Sequence, residues 1–367
     1  MFKRLKKFIK KETVFTVSFV FAVFTVFLMP FDKEYIGYID FRVLCLLFSL
    51  MAVIEGFKSI GLFKALTDKL LSGVKNRRIL GVLLVLLPFF FSMLVTNDVA
   101  LIVFVPFTIS LLAELGCKRS IVPVTVLQTV SANLGSAATP IGNPQNLFIF
   151  SKYNLSPAEF FSAVLPVCFF SLILLVACSV FAINEKFTVT GNVKASVENK
   201  KLLIVYFAVF LLCLLTVFGA VNCFVTTAVV FAVFLITGRK ALMKVDYILL
   251  LTFVCFFVIS GNLARIDTVR IFLEKLLNES PLLTAVGASQ IISNVPAAVL
   301  LSGFTENWKD LLLGVNIGGL GTPVASLASL ISLKFYMRSE GSQTMKFLLV
   351  FTVVNVVFLI LLILLNV

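Results

Sequence analysis

Two polar stretches, each set in otherwise apolar sequence, hold most of the residues that could bind an ion or a small ligand. NLGSAATPIGNPQN at 133–146 and NIGGLGTPVASLAS at 316–329 align without a gap. A proline removes a backbone donor and clashes with the preceding turn, so each Thr-Pro pair should interrupt a helix. The carbonyl groups that a break frees can coordinate a cation, and the new helix N-terminus can offer amides to an anion. The candidate binding residues are Asn133, Thr139, Pro140, Gly142, Asn143, Asn146, Asn316, Gly318, Thr322, Pro323 and Ser326.

Each stretch has a companion upstream in which a hydroxyl residue precedes an asparagine. The first reads Thr-Asn-Asp at 96–98, and the second reads Ser-Asn-Val at 293–295. Hydroxyl and amide oxygens can ligate sodium, and the same groups can donate hydrogen bonds to an anionic ligand. We expect both companions to meet the helix breaks; the alternative is that each asparagine only caps a turn. The candidate sodium ligands are Thr96, Asn97, Asn143, Ser293, Asn294 and Thr322.

Asp98 is the acidic residue of these companions. A carboxylate at membrane depth is costly unless it is protonated, paired or bound to a cation, and such residues usually face a functional cavity. We therefore expect Asp98 to take part in cation or proton coupling, the alternative being a structural N-cap. Glu55 lies near the inner end of its span and could reach water. An intramembrane enzyme using Asp98 and Glu55 is an alternative of another class, because acid/base catalysis needs both carboxylates within reach of one substrate.

The composition requires elements that cross a lipid bilayer. Sixty per cent of the residues are hydrophobic and 13% are charged. Segments such as 202–218 and 347–365 are apolar all round, whereas a helix on the surface of a soluble protein has a polar face. The sequence therefore predicts an all-α polytopic protein that spans the cell membrane several times.

The formal charge of +13 is explained by topology. A basic balance can indicate nucleic acid, but most lysines and arginines fall on one side if residues 1–11 are cytoplasmic and each apolar segment crosses in turn. This predicts a cytoplasmic N-terminus, an external C-terminus and no nucleic-acid partner. With no histidine and no CxxC among seven cysteines, a bound metal or a disulfide is not expected. The basic residues assigned to the outer side are Lys33, Arg42, Lys152, Arg265, Arg270, Lys275 and Lys309.

Nine crossings and two re-entrant hairpins account for the apolar segments. The hairpins, 79–115 and 282–302, fold back around the companion tips, and each follows an amphipathic surface segment, 58–75 or 264–278. Two of the crossings, 121–150 and 311–333, contain the helix breaks. The predicted crossings are 14–29, 41–55, 121–150, 160–183, 202–218, 224–236, 247–260, 311–333 and 347–365.

The order of these elements repeats along the chain. Residues 1–40 form a basic N-terminal segment and first span, 41–183 form repeat 1, 184–201 a cytoplasmic linker, and 202–367 form repeat 2. Each repeat contains a span, a surface helix, a hairpin, a broken helix and a closing span. An odd number of crossings separates the repeats, so they should have opposite orientations. Where segment 202–218 packs cannot be read from the sequence.

On these motifs, the chain resembles the ion transporter clan that includes arsenite permeases, citrate transporters, sodium/proton antiporters and divalent anion:sodium symporters. TNDVALIVFVPF at 96–107, GSAATPIGNPQNLFIF at 135–150 and ISNVPAAVLL at 292–301 are most similar to its bacterial anion permeases. The resemblance implies an inverted-repeat scaffold, a transport domain that moves as an elevator, and a homodimer. In the symporters both tips read Ser-Asn-Thr and form sodium and carboxylate sites. Here Asp98 and Val295 replace the final threonines, and Asp98 resembles the arsenite-permease pattern.

The expected function is secondary active transport of a small anion such as arsenite, sulfate or a di- or tricarboxylate like citrate. The coupling ion would be H⁺ or Na⁺, with no bound cofactor, and the partners would be the anion, the lipid bilayer and a second copy of the chain. A Na⁺/H⁺ antiporter of the same clan is one alternative. Another is a channel subunit driven by a separate ATPase, since the chain has no GxxxxGK[ST] motif of its own.

Overall fold

The computed structural model of the protein describes residues 12–29, 32–63, 65–66, 76–185, 199–339 and 341–366. In these residues the regular secondary structure is helical, and turns and loops join the helices. Within these ranges the chain forms 18 α-helices and no β-strand, which confirms the predicted fold class. The helices of the first half are α1 (Thr13–Leu28), α2 (Glu34–Tyr38), α3 (Phe41–Ser59), α4 (Arg77–Val95), α5 (Asn97–Glu114), α6 (Ile121–Ser136), α7 (Pro144–Lys152) and α8 (Pro157–Ser179).

The order of the first half from α3 onward recurs in the second half after three further helices. Its helices are α9 (Lys200–Val217), α10 (Cys223–Thr237), α11 (Arg239–Leu242), α12 (Tyr247–Ala264), α13 (Asp267–Glu279), α14 (Pro281–Ile292), α15 (Asn294–Leu301), α16 (Trp308–Ile317), α17 (Leu327–Met337) and α18 (Thr344–Asn366). Helix α13 corresponds to the amphipathic segment predicted at 264–278. Residues 1–11, 67–75 and 186–198 lie outside the described residues, and with them most of the predicted N-terminal basic segment, first surface segment and linker.

Six of the described helices are long and apolar enough to cross a bilayer, namely α4, α5, α8, α9, α12 and α18. Large apolar side chains such as Phe27, Ile204 and Leu364 are exposed on the outside of the protein, where lipid would cover them. The chain is therefore a multi-pass membrane protein. Helices α4 and α5 form the first predicted hairpin, and each is by itself long enough to cross. A re-entrant arrangement of this hairpin therefore stays a prediction.

Two sharp helix junctions and two helix interruptions lie at the polar motifs. Helices α4 and α5 meet at the first tip, residues 96–98, and α14 and α15 meet at the second tip, residues 293–295. The first break, residues 137–143, separates α6 from α7, and the second break, residues 318–326, separates α16 from α17. Helix α7 restarts at Pro144, because Asn143 caps it by accepting a hydrogen bond from the backbone amide of Asn146 at 2.8 Å.

The helices pack into two groups. Helices α4 to α8 and α14 to α18 contact one another and form a core bundle, which contains both tips and both breaks. Helices α1, α3, α9, α10 and α12 form a wall beside it, and the wall meets the bundle where α3 contacts α7 and α12 contacts α15. Pairing within the wall is reciprocal, because α1 packs on α12 and α10 packs on α3, so each partner comes from the other half of the chain.

Segment 202–218, whose location the sequence could not predict, forms α9 and packs on α3 and α10. Tyr206 of α9 stacks on Phe234 of α10, with ring centroids 4.7 Å apart. Both rings lie against Gly56 of α3, where a β-carbon would collide with the Phe234 ring. Gly261 occupies the matching position in α12 and is covered in the same way by the ring of Tyr38. Each repeat thus opens with a glycine that admits an aromatic ring from a neighbouring element.

Candidate functional site

Each tip is bound to the break of its own repeat by an equivalent backbone hydrogen bond. The amide of Asn97 donates to the carbonyl of Gly142 at 3.2 Å, and the amide of Asn294 donates to the carbonyl of Ala325 at 2.9 Å. Positions 142 and 325 are matched in the aligned stretches. In both tips the asparagine Oδ1 also accepts a hydrogen bond, at 2.9 Å, from the backbone amide of the following residue. The two halves therefore build the same local structure from different sequences.

The residue that begins each tip has a strained backbone. Thr96 has φ 76° and ψ 150°, and Ser293 has φ 75° and ψ 154°. This region is otherwise reached almost only by glycine, and costs about 1–3 kcal/mol for another residue. Such strain persists where the surroundings determine the conformation, and it is concentrated at ligand sites. A hydroxyl residue is thus kept at a position where glycine would be easier to accommodate.

Asparagine side chains join the first break directly to α16, the helix that precedes the second break. The Nδ2 of Asn143 donates to the Oδ1 of Asn316 at 3.0 Å, and the Nδ2 of Asn316 donates to the Oδ1 of Asn146 at 2.7 Å. All three side chains are buried. Because Asn316 accepts a hydrogen bond from Asn143 and donates one to Asn146, its side chain links α16 to the first break and to α7.

A second chain of hydrogen bonds runs through Asn133. Its Oδ1 accepts from the Nδ2 of Asn97 at 3.0 Å and from the hydroxyl of Ser326 at 3.1 Å. Its own Nδ2 donates to the carbonyl of Gly319 at 3.4 Å. The first tip, helix α6 and the second break therefore meet at one buried asparagine.

The hydroxyls of the two threonines of the Thr-Pro pairs bind the hairpins and not the asparagine side chains. The hydroxyl of Thr139 donates to the carbonyl of Met93 at 2.5 Å, and that of Thr322 donates to the carbonyl of Gln290 at 3.4 Å. Both acceptors lie three residues before a tip. Thr139 is half-buried, but Thr322 is exposed. Of the predicted residues around the proline pairs, Pro140 is buried and Pro323 is half-buried.

Two glycines of the stretches allow the close packing of the breaks. A β-carbon at Gly142 would collide with the backbone carbonyl of Ser136, and one at Gly318 would lie 2.7 Å from the carbonyl of Gly314. The hydroxyl of Ser136 also accepts a hydrogen bond from Asn143 at 3.1 Å. These glycines hold the breaks in shape and have no side chain that could contact a ligand.

A cavity of about 210 Å³ lies between α3 of the wall and the first repeat's tip and break. Thr96, Asp98 and Asn143 line its bundle side. Helix α3 supplies Glu55 and Lys58, which form an ion pair with Nζ 2.6 Å from Oε1. Glu55 therefore shares a cavity with Asp98, although the sequence indicated that it lies near the surface. Its carboxylate is already paired with Lys58.

A larger cavity, of about 500 Å³, lies between α12 of the wall and the bundle. Its lining includes Ser260 and Gly261, which match Glu55 and Gly56 of the first repeat, and Val299 of α15. Lys152, at the end of α7, lines it as well. The boundary between wall and bundle thus contains two cavities, and only the first of them is lined by a tip and a break.

Gln290 is a residue of this region that the sequence reasoning missed. It lies one turn before the second tip on α14, and its side chain contacts three backbone groups of the second break, at Gly318, Leu320 and Thr322. The sequence feature that could have indicated Gln290 is a single amide side chain within the largely apolar segment 281–292. In the described residues, no group of three or more cysteine or acidic side chains could hold a metal ion.

Comparison with known proteins identifies the family. Residues 8–306 match the family described as citrate transporter. An uncharacterised transporter of Methanocaldococcus jannaschii is 36% identical over 326 residues, 89% of each chain. The inner membrane protein YbiR of Escherichia coli is 32% identical over 315 residues, 84% of this chain and 83% of that protein. A silicon efflux transporter of rice (Oryza sativa subsp. japonica) is 36% identical over 128 residues, 35% of this chain and 26% of that protein.

These matches confirm the resemblance to the transporter clan, because the matched family and the Methanocaldococcus jannaschii relative are described as transporters and not as enzymes. The chain belongs to the citrate transporter family and is a secondary transporter that spans the membrane several times.

Proposed function

We propose that the protein moves a small oxyacid or its anion across the cell membrane, with Asp98 as the residue that holds the coupling H⁺ or Na⁺. The observation that carries this proposal is the cavity shared by Asp98, Thr96 and Asn143. On its bundle side the cavity offers one carboxylate, one hydroxyl and one amide next to a helix break. This combination can bind a cation and an oxygen-rich ligand side by side.

The charges in this cavity favour a ligand of low charge. Two lysines, Lys58 and Lys244, line the cavity, and Lys58 is already paired with Glu55. The three carboxylates of the lining, Glu55, Asp98 and Asp246, outnumber the lysines. A di- or tricarboxylate would therefore be repelled by Asp98 unless it arrived with protons or sodium ions. Neutral arsenite, or a similar oxyacid exchanged for protons, meets no such cost. The volume of about 210 Å³ also favours a small ligand, since pockets for drug-sized molecules measure about 300–1,000 Å³.

One further observation supports alternating access, and a second supports the substrate class. Both cavities lie on the boundary between wall and bundle, and the matched residues Glu55 and Ser260 line one each. Such a boundary is expected if the bundle slides along the wall and exposes its site to each side in turn. The similarity to the rice silicon efflux transporter also supports an oxyacid as substrate. Within this proposal the hairpins are re-entrant and the repeats inverted. The N-terminus and the Lys58 side of the cavity are cytoplasmic, and the C-terminus is outside.

Flux measurements on purified protein in liposomes test this function. Radiolabelled arsenite, sulfate, citrate and succinate would each be offered with and without an imposed pH or sodium gradient, with protein-free liposomes as control. We expect one substrate to accumulate above its equilibrium level, and an ionophore that collapses the gradient should abolish the accumulation. Transport that ignores both gradients, or that requires ATP, would contradict the proposal and favour a channel with a separate ATPase.

The second candidate function is Na⁺/H⁺ antiport, because Asp98 could bind the two cations alternately without any anion. The same liposomes discriminate between the functions. An antiporter would acidify or alkalise the lumen in response to a sodium gradient in buffer that contains none of the four substrates. The proposed oxyacid transporter would leave the internal pH unchanged until its substrate is added.

A further inference from the structure

The carbonyl groups freed by the first break are already occupied by a side-chain amide. The Nδ2 of Asn146 lies 3.2 Å from the carbonyl oxygen of Ser136, 3.1 Å from that of Ala137 and 3.0 Å from that of Thr139. Asn146 is fully buried, and its Oδ1 accepts from Asn316. The sequence suggested that carbonyl oxygens freed by the break could bind a cation. Three such oxygens instead surround the neutral amide of Asn146.

At the second break, too, a side-chain amide binds the freed carbonyl groups, but it comes from a different helix. The position that matches Asn146 is Ser329, which has no amide, and its buried hydroxyl has no hydrogen-bond partner among the described residues. Gln290 of α14 supplies the amide instead. Its Nε2 donates to the carbonyls of Gly318 at 2.7 Å and Leu320 at 3.0 Å, and its Oε1 accepts from the amide of Thr322 at 2.9 Å.

We propose that Asn146 and Gln290 are built-in replacements for bound cations at the two breaks, and that any cation dependence of the protein comes from Asp98. The amide nitrogen occupies the point where the carbonyl oxygens converge, and its N–H groups would repel a cation there. The partial positive charge of the amide stabilises the freed carbonyls as a cation would, without an ion having to bind or leave. The part of this inference that concerns Asp98 rests on the proposed function, whereas the part that concerns the amides does not.

Thermal unfolding of the purified protein in detergent tests this inference, with sodium replaced by choline at equal ionic strength. Any sodium-dependent rise in the unfolding temperature of the wild type should be absent in Asp98→Asn, because both breaks are filled. Adding Gln290→Glu to Asp98→Asn should create a sodium response, because a carboxylate replaces the donor beside the carbonyls of Gly318 and Leu320. A rise of about 2 °C corresponds to sodium at roughly ten times its dissociation constant.

Two results would overturn the inference. One is a sodium response that persists in Asp98→Asn, because a break would then hold the ion. The other is a folded double variant that does not respond to sodium, because the carbonyls would then not form a cation cage at all. If the double variant fails to fold, sodium binding to the Asp98→Asn single variant is measured by calorimetry. Absence of binding supports the inference, and binding overturns it. Wild-type liposomes without gradient-driven flux would reject the proposed function but leave this result intact.

Discussion

At the scale of single residues, the two tips share one backbone structure but have different chemistry. The bonds from Asn97 to Gly142 and from Asn294 to Ala325 are equivalent. Asp98, however, lines a cavity, whereas Val295, its counterpart, is buried and apolar. Of the two tips, the first therefore carries an ionisable side chain and the second does not. A coupling group in one repeat suffices if the whole bundle moves as a unit.

Asn316 is expected to be the most sensitive residue of the network between the breaks. Replacement by alanine would leave the Nδ2 of Asn143 and the Oδ1 of Asn146 buried without these partners. Each unsatisfied group costs about 1–3 kcal/mol. We therefore expect Asn316→Ala to lower the free energy of unfolding by several kcal/mol in a denaturant titration.

Asn355 of α18 provides the matched control. It is equally buried, but its Nδ2 bonds within its own helix, to Phe351, and its Oδ1 has no partner among the described residues. Asn355→Leu removes an unsatisfied oxygen, so it should leave stability unchanged or raise it. Equal destabilisation by the two substitutions would show that the Asn316 network has no special role.

The ion pair between Arg265 and Asp32, in the segments next to α12 and α1, should give a pH-dependent contribution to stability. A hydrogen bond of 2.8 Å from Arg265 lowers the pKa of Asp32 below its usual value. The pair therefore stabilises the folded state above the unfolded pKa, near ~4, and the effect disappears as the pH falls through the lower folded pKa. Asp32→Asn should lower the unfolding temperature at pH 7 but not at about pH 2, well below the unfolded pKa.

Glu34→Gln is the control for this measurement. Glu34 contacts the same guanidinium at 3.6 Å, and 67% of its side chain is exposed. Its substitution should change the unfolding temperature less than Asp32→Asn does at pH 7. A difference between the wild type and Asp32→Asn that stays constant down to pH 2 would show that the carboxylate charge is not the cause.

At the scale of elements, the sequence located the interruptions because their context is duplicated. Proline alone was not a sufficient signal, since Pro88, Pro106 and Pro166 all lie inside continuous helices. The exact ends depend on caps, and α7 begins where Asn143 accepts a backbone hydrogen bond, three residues after Pro140. What the sequence could not indicate was long-range packing. The contacts of Gln290 with the second break and of Tyr206 with α10 depend on which helices become neighbours.

Gly142 should be intolerant of any side chain, because its β-carbon would collide with the backbone of Ser136. A backbone carbonyl cannot rotate away as a side chain can, so Gly142→Ala must distort the first break and with it the hydrogen bond to Asn97. We expect a loss of about 1–3 kcal/mol or more in unfolding experiments.

Gly287→Ala in α14 is the comparison, because no atom lies within 4 Å of its β-carbon position. Alanine favours a helix over glycine by about 1 kcal/mol, so this variant should be neutral or slightly more stable. If Gly142→Ala were as stable as Gly287→Ala, the first break would have to be more adaptable than its packing indicates.

At the scale of the whole molecule, the wall and the core bundle touch over few elements, and two cavities lie between them. This arrangement suits a bundle that moves relative to a fixed wall, and a second copy of the chain packed on the wall would help to hold it still. We propose such a homodimer on this basis, and native mass spectrometry from detergent would reveal its mass. The reciprocal pairing of α1 with α12 and α10 with α3 makes the wall a single interlocked unit.

The most direct test of this account compares Asp98→Asn with wild type in gradient-driven flux and in gradient-free exchange. Asp267→Asn serves as control, because Asp267 lies on α13 with 79% of its side chain exposed. We predict that Asp98→Asn loses accumulation driven by the pH or sodium gradient while it still exchanges labelled for unlabelled substrate, and that Asp267→Asn keeps both. Accumulation by Asp98→Asn that responds to the gradient as wild type does would contradict the central claim that Asp98 holds the coupling ion.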